Sequence, residues 1–229
     1  MKLKPRIFCF WTDLNLMSDD RNSALLSITN TQLQVIFVDN TNLSSWVLDS
    51  APLHPAYKYL SSVHKADYLR CYFMHYFGGG YSDIKVLENS WLQSYKDLND
   101  SDNLINGYKE VNCFETARGR GILKDCWLAL NFFRVIGNGA FICKSNTSFT
   151  SEWLDGVNKV LDQKYNLLLK NPAQDPRDFY LKVLNDGTIS NYPLNWSEIL
   201  GGVFHPLCLK YSKQVLQTLP TPDFSLKYL

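Results

Sequence analysis

The chain of 229 residues has no excess of either charge: 23 lysines and arginines stand against 22 acids, a formal net charge of +1. That balance gives no long-range field to draw in nucleic acid, nor the surplus of cations that phosphate tracking requires. No nucleic-acid partner is expected. No run of 18 apolar residues occurs, which argues against a spanning helix. The opening MKLKPRIFCF places charges and a proline where a secretory leader has its apolar stretch. The six cysteines, at positions 9, 71, 113, 126, 143 and 208, include no CxxC pair. A chain long enough to bury a full core does not need disulfide staples. Reduced, mostly buried thiols are expected, and with them a cytoplasmic location or the cytosolic face of a membrane. Internal repeats, low-complexity linkers and a clear domain boundary are also lacking, so the reading is one domain over 1–229.

What is present is an unusual share of rings, 6 Trp, 13 Tyr and 13 Phe, which fill cores and also stack on bases and sugars. RIFCFW reads as a buried first strand. Ser18 then caps a helix that opens on Asp19 and Asp20 and runs to about Thr29. QVIFVD is a second apolar strand, ending in Asp-Asn. Strand–helix–strand implies a parallel α/β unit, whose ligands sit beyond the C-terminal strand ends, here near Trp11-Thr12 and Asp39-Asn40. Over 62–77, Ala66, Leu69, Tyr72, Phe73, Tyr76 and Phe77 recur at helical spacing, and Gly78 is suited to close that helix. Residues 81–87 read as a strand with Tyr81, Asp83 and Lys85 on one face. A strand is expected over 103–111 and a helix over 123–135. Residues 137–140 form a turn, with a short strand 141–143 after it. Thr150 caps a long helix striped by Trp153, Val157, Val160, Leu161, Tyr165 and Leu168 and ended by Asn171-Pro172. Asp175-Pro176 starts a further short helix, and NYPLNWSEILGGVFHPL reads as irregular.

Two neighbouring stretches carry chemistry. In GGGYSDIK (78–85) the glycines stop a helix and allow close backbone approach, and an aspartate at a strand tip can take a hard metal ion or a ribose hydroxyl. In KADYLR (65–70), Asp67 and Arg70 are three apart on one side of a helix. They are an exposed ion pair or a carboxylate and guanidinium gripping a polar ligand.

The order of these stretches resembles the glycosyltransferases that contain a DXD sugar-binding region, among them the capsular polysaccharide synthesis and outer-chain mannosyltransferase-like groups. Their pattern is Asp-x-x-Arg on a helix followed by Gly-Gly-x-Tyr-x-Asp-x-Asp. The match is specific over 66–85 and looser at 137–140 and 192–206. It implies a single GT-A (Rossmann-like) α/β domain with a mostly parallel central sheet flanked by helices. A nucleotide-binding half would span about 1–90, and a sugar and acceptor half about 91–229. It further implies a UDP- or GDP-linked sugar donor, a glycan, lipid or protein hydroxyl as acceptor, a role in polysaccharide biosynthesis, and retention at the anomeric carbon. Asp67 and Arg70 would contact the sugar, Tyr81 and Asn138 would line its pocket, and Trp11 would stack on the base beside Asp39. Asp83 would take the first DXD position, on a Mn²⁺ or Mg²⁺ ion or the ribose. His205 would contact the metal or the diphosphate, Glu198 is a catalytic candidate that contacts the acceptor or the sugar, and Trp196 is a candidate for substrate binding.

The departure from the pattern is Lys85, which stands where the second acid belongs. Positive charge against the leaving diphosphate comes from a cation or from an ammonium group. So Lys85 replaces the metal, or it neutralises Asp83 or a phosphate beside a metal held by Asp83 and His205, or the site has lost catalysis. Two other classes stay open. One is a metal-dependent nuclease with Asp67 and Asp83 on Mg²⁺ and Lys85 positioning water; the other is a non-catalytic nucleotide- or glycan-binding domain of the same fold. The apolar stretch around Trp127, Leu128, Phe132 and Phe133 reads either as a core helix or as a contact with a membrane surface or an acceptor.

Overall fold

A computed structural model describes residues 3–117 and 121–224. The elements are β1 (Arg6–Trp11), α1 (Asp19–Ser27), β2 (Gln34–Asp39), α2 (Ser62–Tyr76), β3 (Gly79–Ser82) and α3 (Leu92–Asn99). They continue with β4 (Ile105–Lys109), α4 (Ile122–Leu130), β5 (Ile136–Cys143), α5 (Ser148–Lys170), α6 (Gly201–Lys210) and β6 (Val215–Leu216). The strands form one sheet in the order β2-β1-β3-β5-β4-β6. Strand β5 runs against its two neighbours, and the other three pairings are parallel. The architecture is therefore α/β with a mostly parallel sheet.

Period-two alternation sends each strand's side chains to opposite faces, and both faces are covered. Phe8, Phe10, Phe141 and Cys143 meet α2, α5 and α6 in the larger core cluster. Ile7, Cys9, Ala140 and Ile142 meet α1 and Trp91, Tyr95 and Leu98 of the α3 region in the second. This explains why RIFCFW is a continuous apolar run, since a strand covered on both faces has no solvent face; QVIFVD, at the sheet edge, is partly buried on both. Helix α2 is likewise buried nearly all round, from Asp67 through Met74, so its expected single stripe is only part of its buried surface. All six cysteines are unpaired, and four of them are buried. Among the described residues no helix is long and apolar enough to cross a membrane.

Ser18 caps α1 as expected, accepting from the Arg21 amide, and Gly78 takes a left-handed φ of 59° after α2. Four local expectations fail. Strand β3 ends at Ser82, because the chain turns there: the Lys85 amide donates to the Asp83 carbonyl at 2.8 Å. Asp83 and Lys85 therefore do not share a strand face. The 137–140 stretch is no turn but the first half of β5. The long helix is capped by Thr147, with Thr150 as its reciprocal partner. Asp175-Pro176 makes a side-chain turn, with Asp175 Oδ1 accepting from the Arg177 amide at 2.7 Å, and starts no helix. Helices α3 and α6 and the two-residue β6 were not expected.

Candidate functional site

Strands β1 and β3 end side by side beneath the first turns of α2, and a cleft of about 870 Å³ opens there. Its floor is a charged network drawn from three elements. Arg70 of α2, buried, donates from Nη1 to the Asn138 carbonyl of β5 at 3.0 Å and from Nη2 to Asp83 Oδ1 at 2.8 Å. Its guanidinium lies 4.6 Å over the Tyr81 ring, whose hydroxyl donates to the same Asp83 oxygen at 2.5 Å. The Asp83 amide continues the β3–β5 pairing by donating to the Gly139 carbonyl at 2.7 Å. A β-carbon on Gly139 would sit 3.1 Å from Asp83 Oδ2, so glycine leaves room for the carboxylate. Asp83 is thus aimed by a strand end, a phenol and a guanidinium together.

Asp67 differs from its neighbours in this network. It is 1% exposed, and neither carboxylate oxygen accepts a hydrogen bond; Arg70 Nη2 is 3.4 Å from Oδ1. Burial raises its pKa to about 7, against the opposing pull of Arg70 and with a further push from the Asp83 charge. A buried carboxylate without hydrogen bonds carries a desolvation cost that Arg70 offsets only in part. At the floor of a cleft, such a group is complementary to a ligand's hydroxyls.

The lining carries further cations, beside the acids Asp13 and Glu115. Lys85 reaches the cleft from the turn after β3, joined by Arg21 of α1 and by Arg177. Burial lowers the Lys85 pKa, as do the charges of Arg21 and Arg177, while Asp83 opposes them. Cations that depress one another's pKa in this way offer charge to an anionic ligand. Arg21 is fixed by donation from Nη1 to the Ile84 carbonyl at 2.9 Å, and Arg177 lies 5.7 Å over the Trp196 ring. Trp196 meets Phe179 edge to face, and with Phe114 and Tyr180 these rings make one wall. Trp11 makes part of the other, its indole N–H donating to the Asn15 carbonyl at 2.9 Å.

Behind the Trp196 wall, His64 ties the 192–198 segment to α2. Its Nε2 lies 3.1 Å from the Asn195 carbonyl, and its Nδ1 lies 3.0 Å from both the Tyr192 and Ser61 hydroxyls. With a carbonyl as its partner, Nε2 must carry the proton. Burial holds the ring neutral, with its pKa down at about 4.

Of the residues expected at the site, Trp11, Asp67, Arg70, Tyr81, Asp83, Lys85, Asn138 and Trp196 line the cleft. Asp39, Glu198 and His205 do not. Asp39 turns back on its own loop to accept from Thr41 and Asn42. Glu198 pairs with Lys164 at 2.7 Å and accepts from the Asn195 amide. His205 is buried behind Ala117, accepting from its amide at Nδ1, with Glu110 3.6 Å from Nε2. The three glycines of 78–80 also lie outside the cleft. A β-carbon on Gly80 would come 3.0 Å from Ile7, so β3 needs glycine to fit beside β1.

These positions bear on metal binding. Asp83 is the one acid of the expected pair, one of its oxygens is committed to Arg70 and Tyr81, and His205 lies behind the wall. Among the described residues no cluster of three or more potential ligands exists. The side chains present do not by themselves make a site for Mn²⁺ or Mg²⁺. Arg21, Arg177 and His64 escaped the sequence reading. Only the Ser61-x-x-His64 spacing, a helix-cap pattern, hinted at one of them. No protein-family model matches the chain, and no curated protein is significantly similar to it.

Proposed function

We propose that the chain is a glycosyltransferase that moves a sugar from a nucleotide-sugar donor to a hydroxyl of a glycan, lipid or protein. The observation that carries this reading is Asp67: a buried carboxylate without hydrogen bonds on the floor of a cleft whose lining includes Arg21, Lys85 and Arg177 and several aromatic rings. Such a floor suits sugar hydroxyls, such cations a diphosphate, and such rings a base. In this reading Asp67 ionises as it accepts hydrogen bonds from the donor sugar. Arg21, Lys85 and Arg177 meet the two phosphates and stabilise the charge that develops as the sugar–phosphate bond breaks. Arg70 and Tyr81 are positioning residues, since the two Nη atoms and the phenol are engaged with Asp67, Asp83 and Asn138. The acceptor oxygen forms the new bond to the anomeric carbon. Its proton passes to the departing phosphate oxygen, which needs no strong protein base if configuration is retained. The nuclease alternative relied on Asp83 and Lys85 sharing a strand face, which the end of β3 at Ser82 removes.

Calorimetric titration with UDP and with GDP, each in Mn²⁺ and in EDTA, tests this reading on the wild type and on Lys85→Ala. The expected result is binding of one nucleotide that survives EDTA and weakens about tenfold or more in the variant, the loss of one charge-assisted contact. Absence of binding to either nucleotide under both conditions would overturn it.

A further inference from the structure

Helix α4 is built inside out. Ile122, Leu123, Trp127 and Leu130 follow the spacing that normally turns an apolar stripe to the core. Here they are 81, 86, 53 and 76% exposed, and Leu128 is the helix's one buried residue. The stripe continues past the helix end to Phe133, also exposed. The expected core helix is therefore a surface helix with its apolar side outward. A contiguous apolar patch on a protein surface marks something that covers it.

The surrounding charges narrow what that is. Beside Phe133 lies a hollow of about 310 Å³ lined by Arg134, Ser212, Lys213, Val215 and Gln217. Two cations and no acid line it. It is held in shape by Arg134 Nη2 donating to Ser212 Oγ at 2.9 Å, and by Gln217 Nε2 donating to the Phe133 and Val135 carbonyls at 3.1 and 2.8 Å. Lys109, exposed, pairs in the sheet with Ile136, two residues past Arg134. Lys124 is exposed on the helix itself, whereas Asp125 is half-buried and Glu110 is buried. An anionic bilayer surface complements both parts, with its acyl boundary against the rings and leucines and its phosphates against the cations.

The geometry points to α4 as a membrane-surface helix: Ile122, Leu123, Trp127, Leu130 and Phe133 enter the headgroup–acyl boundary of an anionic leaflet, and Arg134 and Lys213 hold lipid phosphate. Docking of this kind does not depend on the reading of the cleft. It does bring the cleft near the surface, because Ala117 on the cleft wall and Gly121 at the head of α4 are joined by at most about 14 Å of chain.

Co-sedimentation with vesicles tests the assignment, using phosphatidylcholine alone and phosphatidylcholine mixed with phosphatidylglycerol. The full chain is expected to pellet with the mixed vesicles, less so as salt is raised, and not with phosphatidylcholine alone. The double variant Leu123→Glu, Leu130→Glu alters only exposed positions and is expected to lower partitioning by about tenfold or more. Arg134→Ala with Lys213→Ala is expected to abolish the preference for phosphatidylglycerol. The assignment is overturned if the wild type does not pellet, or if the double glutamate variant pellets equally well. It is also overturned if sedimentation velocity shows a dimer that the same variant dissociates while no vesicle binding occurs; the patch would then belong to a second copy.

Discussion

An Asp67→Asn variant keeps the shape of the side chain and removes its ability to ionise. In the folded chain this carboxyl titrates at about 7, against an ordinary value of 3.8, because it is buried without hydrogen bonds. Between those two values the folded state holds a proton that the unfolded chain has released. Stability therefore falls as pH rises through the window. At 1.36 kcal/mol per pKa unit the loss amounts to about 4 kcal/mol. At pH 4 the wild type carries a neutral carboxyl, and the asparagine variant should match it to within about 1 kcal/mol. At pH 8 the variant should be the more stable by about 4 kcal/mol. Urea unfolding of both proteins at the two pH values measures this, and taking their difference cancels the other titrating groups. A difference that does not change with pH, or a variant less stable at pH 8, would refute the account of Asp67. The expected stabilisation comes with loss of binding, as is common where a site holds an unfavourable group in place.

Four further outcomes are expected. Arg70→Met leaves two carboxylates without their shared counter-charge and should cost about 3–5 kcal/mol, a fall in Tm of about 6–20 °C; a shift below about 2 °C by scanning calorimetry contradicts the network described. Gly137→Ala places a β-carbon 1.9 Å from the Tyr108 ring and should destabilise by about 3 kcal/mol or prevent folding, so a variant with wild-type urea midpoint would contradict the β5 geometry. His64, with its folded pKa at about 4 and an ordinary value of 6.5, should lose stability for the chain as pH falls from 6.5 towards 4, by about 3 kcal/mol. His64→Gln should flatten that part of the pH profile, and an unchanged slope would assign it to other groups. Nucleotide-sugar binding at pH 6 should release close to one proton from Asp67, read by calorimetry in buffers of different ionisation enthalpy, and almost none at pH 8.5; equal release at both would contradict ionisation of Asp67 on binding.

Much of the scaffold was legible because its first half obeys simple patterns. RIFCFW and QVIFVD are short apolar runs of strand length in a strand–helix–strand order, and Ser18 and Gly78 are residues whose backbone chemistry suits helix ends. Asp67 and Arg70 were recognisable as neighbours from their spacing alone. What local pattern misread is explained by distant packing. Gly137-Asn138-Gly139 resembles a turn, yet these glycines lie within a strand because the Tyr108 ring crosses one and the Asp83 carboxylate faces the other. Helix α6 was hidden by Pro206 within it. The lining cations come from α1, the turn after β3 and a loop near residue 177, positions that no spacing rule connects. The burial that shifts Asp67, and the exposure that turns α4 outward, belong to the tertiary structure and have no local signature.

In the proposed function Asp67 waits for the hydroxyls of a donor sugar. Calorimetry at pH 8 on the wild type and on Asp67→Asn, with a nucleotide-sugar and with its parent nucleoside diphosphate, separates that role from phosphate binding. The variant should bind the diphosphate as the wild type does but lose about tenfold or more in affinity for the nucleotide-sugar, the worth of charge-assisted bonds to the sugar. Equal losses for both ligands, or none for either, would contradict it.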